Sequence, residues 1–143
     1  MKKVLMYVLA ITAISSSASA QKLDAAQVPT AVKTAFTKQY PGVNAKWEKE
    51  KGKYEAGFKQ QNGLDMSVLY ESNGTMVESE VDIKVADLPA KVLNYVKEYY
   101  KGKKIKEGAK ITKADGTVNY EAEVDGKDLI FDAGGEFIKE VKD

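Results

Sequence analysis

Glutamates spaced two apart are the part of this chain best suited to chemistry: Glu121 and Glu123 in one segment, Glu78 and Glu80 in another. In an extended strand such residues point the same way, so either pair could hold a cation or share acid and base roles between two carboxyls. Around them the usual catalytic partners are missing. The chain has no His and no Cys, which removes the commonest general base, the thiolate nucleophile and most transition-metal ligand sets. Ser-His-Asp, Cys-His and zinc-hydrolase chemistries are excluded together. Neither a Gly-x-x-x-x-Gly-Lys phosphate loop nor a Gly-x-Gly-x-x-Gly dinucleotide turn occurs, so no cofactor is expected. Asp115-Gly116 and Asp125-Gly126 lack the alternating oxygen ligands and closing Glu of a calcium loop, and they read as turns. On an open strand surface the glutamate pairs read more simply as a solvated polar face.

Aromatic side chains are the second candidate. Eight tyrosines and Trp47 could form a platform for sugars or peptides, because each offers a large area with a polar tip. Their spacing places Tyr54, Tyr70, Tyr95 and Tyr120 in the core. Tyr40, Tyr99, Tyr100 and Trp47 fall near element ends, where the case for core is weaker. Asn73-Gly74-Thr75 matches a glycosylation acceptor and equally a hairpin turn, and the turn is preferred. Lys101, Lys103, Lys104 and Lys106 form the one local basic cluster. They read as a solvated turn or a lysine-protected edge strand.

The elements that must position these residues recur in the same order about sixty residues later. Val28-Pro29 returns as Leu88-Pro89, Tyr40-Pro41-Gly42 as Tyr100-Lys101-Gly102, and Tyr54-Glu55-Ala56 as Tyr120-Glu121-Ala122. Tyr70, Asn73-Gly74 and Met76 return as Phe131, Gly134-Gly135 and Phe137. An offset of 60 to 66 residues at every landmark points to a duplicated unit. Val28, Val32, Ala35, Phe36 and Tyr40 share one helical side, as do Val92, Tyr95, Val96 and Tyr99. Each helix is opened by proline and closed at glycine. A preliminary turn is expected near Asp24 to Gln27. After each helix the period falls to two, and Asn-Gly, Asp-Gly and similar pairs divide the alternating segments into hairpins.

Helix then four strands, twice, predicts an α+β fold: two tandem repeats of one helix followed by a four-stranded antiparallel meander, with the helices on one face of the sheet. Val118, Tyr120, Ala122, Val124, Leu129 and Phe131 are then expected to face the helices. Lys53, Glu55, Gly57, Lys59, Asp65, Ser67 and Leu69 face away in the first repeat, and Asn119, Glu121, Glu123, Asp128 and Ile130 in the second. Leu69 and Ile130 hold equivalent places and are expected to be exposed among charges, so that Asp at both should spare folding. Eight strands of ordinary length present a face of about 700 Å², close to the ~800 Å² per partner of a standard interface.

Lys2 and Lys3, the apolar run from Val4 to Ile14 and the small residues Ala18 and Ala20 read as an export signal over residues 1–20. The run is short of the ~20 residues that span a bilayer, so stable membrane insertion after cleavage is not expected. Without Lys2 and Lys3 the charges are 20 basic against 21 acidic, a net −1. That balance argues against a nucleic-acid partner. With no Cys, stability must come from packing, and residues 21–143 are expected to share a single core as one domain of two repeats, about 24–84 and 85–143.

The segments Val28-Pro29-Thr30-Ala31-Val32-Lys33, Tyr40-Pro41-Gly42, Lys46-Trp47-Glu48-Lys49-Glu50 and Gly52-Lys53-Tyr54-Glu55 resemble the secreted bacterial PepSY-like family, described as similar to beta-lactamase inhibitor proteins. The likeness spans both repeats. It implies tandem helix-plus-sheet units, export to the periplasm or beyond, and no known catalytic activity. Proteins of the related inhibitor fold grip an enzyme through a sheet face and a projecting loop, and no such loop is matched here residue by residue. The second repeat departs from the pattern, with Lys101 where the first has Pro41 and no counterpart of Trp47. The resulting expectation is a non-enzymatic exported binding module that engages an envelope protein or peptidase through Leu69, Ile130, Lys53, Glu55, Glu121 and Glu123. The alternative is a small-ligand or cation-binding envelope protein using carboxylates such as Glu121 and Glu123.

Overall fold

The computed structural model describes residues 20–142, and the expected export signal, apart from Ala20, lies outside the described residues. Chain order is β1 (Gln21–Leu23), a 3-10 turn at Ala25–Gln27, α1 (Thr30–Gln39), β2 (Lys46–Glu50), β3 (Lys53–Lys59), β4 (Asp65–Tyr70) and β5 (Met76–Ile83). A second 3-10 turn at Val85–Asp87 leads to α2 (Ala90–Tyr99), β6 (Ile105–Lys113), β7 (Val118–Val124), β8 (Lys127–Asp132) and β9 (Phe137–Lys142).

Local chemistry sets the helix limits. Pro29 and Pro89 cap α1 and α2 in extended conformation, where a missing amide hydrogen leaves no bond unmade. Their carbonyls accept from Lys33 and Leu93 at 3.1 and 3.3 Å. The helices stop where Tyr40 and Tyr100 donate back to Phe36 and Val96, and Gly42 and Gly102 then turn the chain with positive φ.

The expected fold class is overturned. The strands do not form two four-stranded meanders, each with its own helix on a sheet face; among the described residues there are two α-helices and one continuous nine-stranded antiparallel sheet, ordered β1 to β9. Two features account for the difference. β5 and β6 pair along six positions, from Glu78 opposite Lys113 to Ile83 opposite Gly108, so the ladder runs through the midpoint without a boundary. Gln21, Lys22 and Leu23 add an edge strand against Lys49, Glu48 and Trp47, a pairing too short to show periodicity in sequence.

Two buried clusters lie along this sheet. Val28, Val32 and Phe36 pack with Trp47, Tyr54, Ala56, Val68 and Tyr70. Leu88, Val92 and Val96 pack with Ala122, Val124, Leu129 and Phe131. Each fully buried side chain of this size contributes about 1.5–3 kcal/mol relative to exposure. Trp47 is part of the first cluster, with its ring edge-on to Phe36 at 5.3 Å. Tyr99, by contrast, is 63% exposed.

The turn at Asn73-Gly74 presses against the start of α1. Gly74 has φ of 87°, and a Cβ there would stand 2.6 Å from the Ala31 carbonyl oxygen. No other residue fits both demands. Asn73 Oδ1 accepts from the Thr75 amide at 2.9 Å, so this tripeptide serves as the hairpin turn.

Candidate functional site

Strand alternation divides the sheet into two faces. Tyr54, Ala56, Val68 and Tyr70 point to the cluster beneath α1, so their neighbours Glu55, Gly57, Ser67 and Leu69 point the other way. The cross-strand rows on this second face are Glu55–Leu69–Glu78 and Gly57–Ser67–Glu80. β2 adds Glu48 opposite Glu55 and Lys46 opposite Gly57.

A groove of about 430 Å³ opens over these rows, lined by Glu48, Glu55, Gly57, Ser67, Glu80 and Asp82 among others. Gly57 makes the room for it. A Cβ at this position would meet nothing closer than the Lys46 carbonyl oxygen at 3.9 Å. Glycine inside a strand often marks close approach by another group. At the rim Lys59 is held by Asp65 at 2.8 Å.

Five carboxyls, Glu48, Glu55, Asp65, Glu80 and Asp82, line the groove together with three lysines, Lys22, Lys46 and Lys59. Burial pushes Glu55 up to about 8, and repulsion from Glu48, Glu50 and Glu78 adds to the effect. Glu80 is 3% exposed and stands well above the ordinary carboxylate range. Loss of water is the main cause, followed by repulsion from Glu121, Glu55, Asp82 and Glu78. Burial also raises Glu78, against opposing pulls from Lys113 and Lys139. Asp82 is raised by burial, Asp65 and Glu107, with Lys59 acting the other way. In the midst of these groups Ser67 is 4% exposed, and its Oγ is buried with no hydrogen-bond partner.

The residues singled out in sequence are only partly brought together. Glu55 lines the groove, and Glu121 lies close enough to raise Glu80. Lys53 is tied to Glu71 at 2.6 Å. Glu123 faces Lys106 at 3.8 Å in the other half of the sheet. Leu69 and Ile130 are 2% and 6% exposed, not solvent-facing as expected. Each sits in a row between longer side chains, Leu69 between Glu55 and Glu78 and Ile130 between Glu121 and Lys139. Among the described residues no group of three or more acidic, His or Cys side chains is arranged to hold a metal. Sequence reasoning offered Glu80 only in a glutamate pair and Ser67 only as one of the outward residues, and it missed Asp82; the interior Gly57 was the signal that could have joined them into a site.

The sequence profile of the family described as "Putative beta-lactamase-inhibitor-like, PepSY-like" matches the chain twice, over residues 15–78 and 75–139. Among solved structures, a BLIP-like protein from Bacteroides fragilis is 26% identical, with a TM-score of 0.63 over 78% of this chain and 84% of that one. A DUF2874 family protein from Bacteroides uniformis is 22% identical, with a TM-score of 0.69 over 78% of this chain and 87% of that one. A protein from Bacteroides eggerthii, provisionally described as periplasmic, is 20% identical, with a TM-score of 0.72 over 79% and 87%. The last two likenesses concern the fold alone. No curated protein matches.

Proposed function

This chain belongs to the beta-lactamase-inhibitor-like, PepSY-like family, and we propose that it is a non-enzymatic periplasmic binding module. It engages a protein partner, an envelope protein or peptidase, in the manner of an inhibitor. The contact surface is the sheet face that carries Glu55, Gly57, Ser67, Glu80 and Asp82. The observation that carries this reading is the groove, which opens on the face turned away from α1. The family description and the likeness to a BLIP-like protein support it. So does the absence of His and Cys from the whole chain.

Leu69 and Ile130 now enter as packed supports beneath the face, since too little of either is exposed to serve as a hot spot.

The test is capture from an envelope fraction by the immobilised chain, followed by assay of the captured protein with the purified chain added. Charge reversal at the groove, Asp82→Lys with Lys59→Glu, is expected to abolish capture. Reversal on the helix side, Lys38→Glu with Lys97→Glu, is expected to leave it intact. Equal capture by both variants would reject the face.

A further inference from the structure

We infer that the groove over Gly57 and Ser67 receives an arginine side chain carried by an extended segment of the protein partner; this rests on the face proposed above and names what the face recognises. Three independent features converge on that occupant. The floor is empty because Gly57 has no side chain, and its backbone φ is not in the left-handed region, so the glycine is not needed for conformation. A Cβ would fit there, so the missing side chain leaves space on this face. Ser67 presents a buried hydroxyl oxygen with no partner in the protein, an acceptor and donor without its bonds. Glu55, Glu80 and Asp82 supply carboxyls beside it, which become negative acceptors once their protons leave, and Lys22, Lys46 and Lys59 line the same groove.

A guanidinium fits this set by chemistry. It is planar, carries five N–H donors and no acceptor, and remains charged at any relevant pH. It can donate to Glu80 and Glu55 together while Ser67 Oγ accepts another N–H. An ammonium would satisfy fewer of these positions. An apolar segment would leave the serine oxygen unpaired, and an acidic one would be repelled by the carboxyls.

Protonation makes the reading testable. Because Glu55 holds its proton up to about 8, a guanidinium entering at lower pH must displace that proton. Affinity is therefore expected to rise by up to about tenfold per pH unit between pH 6 and 8.

The experiment is an NMR titration of the ¹⁵N-labelled chain with a blocked pentapeptide, Ala-Ala-Arg-Ala-Ala, against the same peptide with citrulline at the centre. Expected are saturable shifts of the Gly57, Ser67 and Glu80 amides with the arginine peptide alone, growing as pH rises. Two variants separate binding from folding. Gly57→Leu fills the floor and is expected to remove the shifts. Ser67→Ala deletes an unpartnered hydroxyl, so it should melt no lower than the parent while weakening the peptide at least fivefold. Equal shifts with citrulline, or arginine shifts untouched by Gly57→Leu, would overturn the assignment. If the arginine peptide fails while partner capture still depends on Asp82 and Lys59, the arginine assignment falls and the binding face stands. If capture ignores the face, the reading of the face itself falls.

Discussion

Replacing Glu55 with Gln isolates the electrostatics of the groove. The folded chain holds the Glu55 proton up to about 8, against an ordinary 4.5. Protonated Glu55 thus favours the folded state. Its contribution is fully present below 4.5 and is lost as pH rises through 8. At about 1.4 kcal/mol per pH unit, that interval corresponds to about 5 kcal/mol of stability. This is a large part of the 5–15 kcal/mol typical of a domain. Gln has nearly the same shape and no proton to lose, so Glu55→Gln should match the parent near pH 4.5 and exceed it by roughly 3 kcal/mol at pH 7. Buried Glu80 rises in the same direction, so the parent should be least stable at alkaline pH. The absence of His and Cys removes the groups that ordinarily titrate in this window, and the raised Glu80 is present in parent and variant alike. Urea unfolding followed by fluorescence suits the measurement, because Trp47 is the single tryptophan and is buried in the α1 cluster. Parallel stability curves for parent and variant from pH 5 to 9 would refute the argument.

Gly74→Ala should lower stability by about 2–4 kcal/mol in urea unfolding, combining positive φ with a clash against the Ala31 carbonyl. Gly52→Ala, with nothing within 4 Å, should cost only about 1 kcal/mol. Leu69→Asp places a carboxylate at a 2% exposed position, so thermal melting should fall by many degrees or folding should fail. A parent-like melt for that variant would restore the expectation of an exposed leucine. Tyr100 donates to Glu140, which holds the phenol up to about 12 and lowers the carboxyl. In Tyr100→Phe the Glu140 carboxyl should move back toward its ordinary value, read by carbon-detected NMR titration. An unmoved Glu140 would show that its other partner, Lys127, sets the shift.

Much of the local structure was legible because its causes lie within a few residues. Pro29 and Pro89 open the helices, Gly42 and Gly102 follow their ends, and positive φ falls at Lys51-Gly52 and Asp125-Gly126, where hairpins were expected. The two-residue period also separated Tyr54 and Ala56 from Glu55 and Gly57. Assembly was not legible in this way. Whether β5 pairs with β6 depends on residues 78–83 meeting residues 108–113 across an intervening helix, and whether Gln21 to Leu23 form a strand depends on an edge supplied by β2.

What the sequence determined by itself was where the chain turns, which side of each strand a residue occupies, and which chemistries are closed to a protein without His or Cys. Tertiary structure alone decided how much water reaches each side. Alternation puts Leu69, Ser67 and Glu80 on the face turned from α1, yet all three are buried there, because exposure depends on what neighbouring strands place beside a residue. The same physics turns ordinary-looking glutamates into proton-holding groups around an unpartnered serine. Desolvation and mutual repulsion are sums over residues distant in the chain, and no local pattern encodes them.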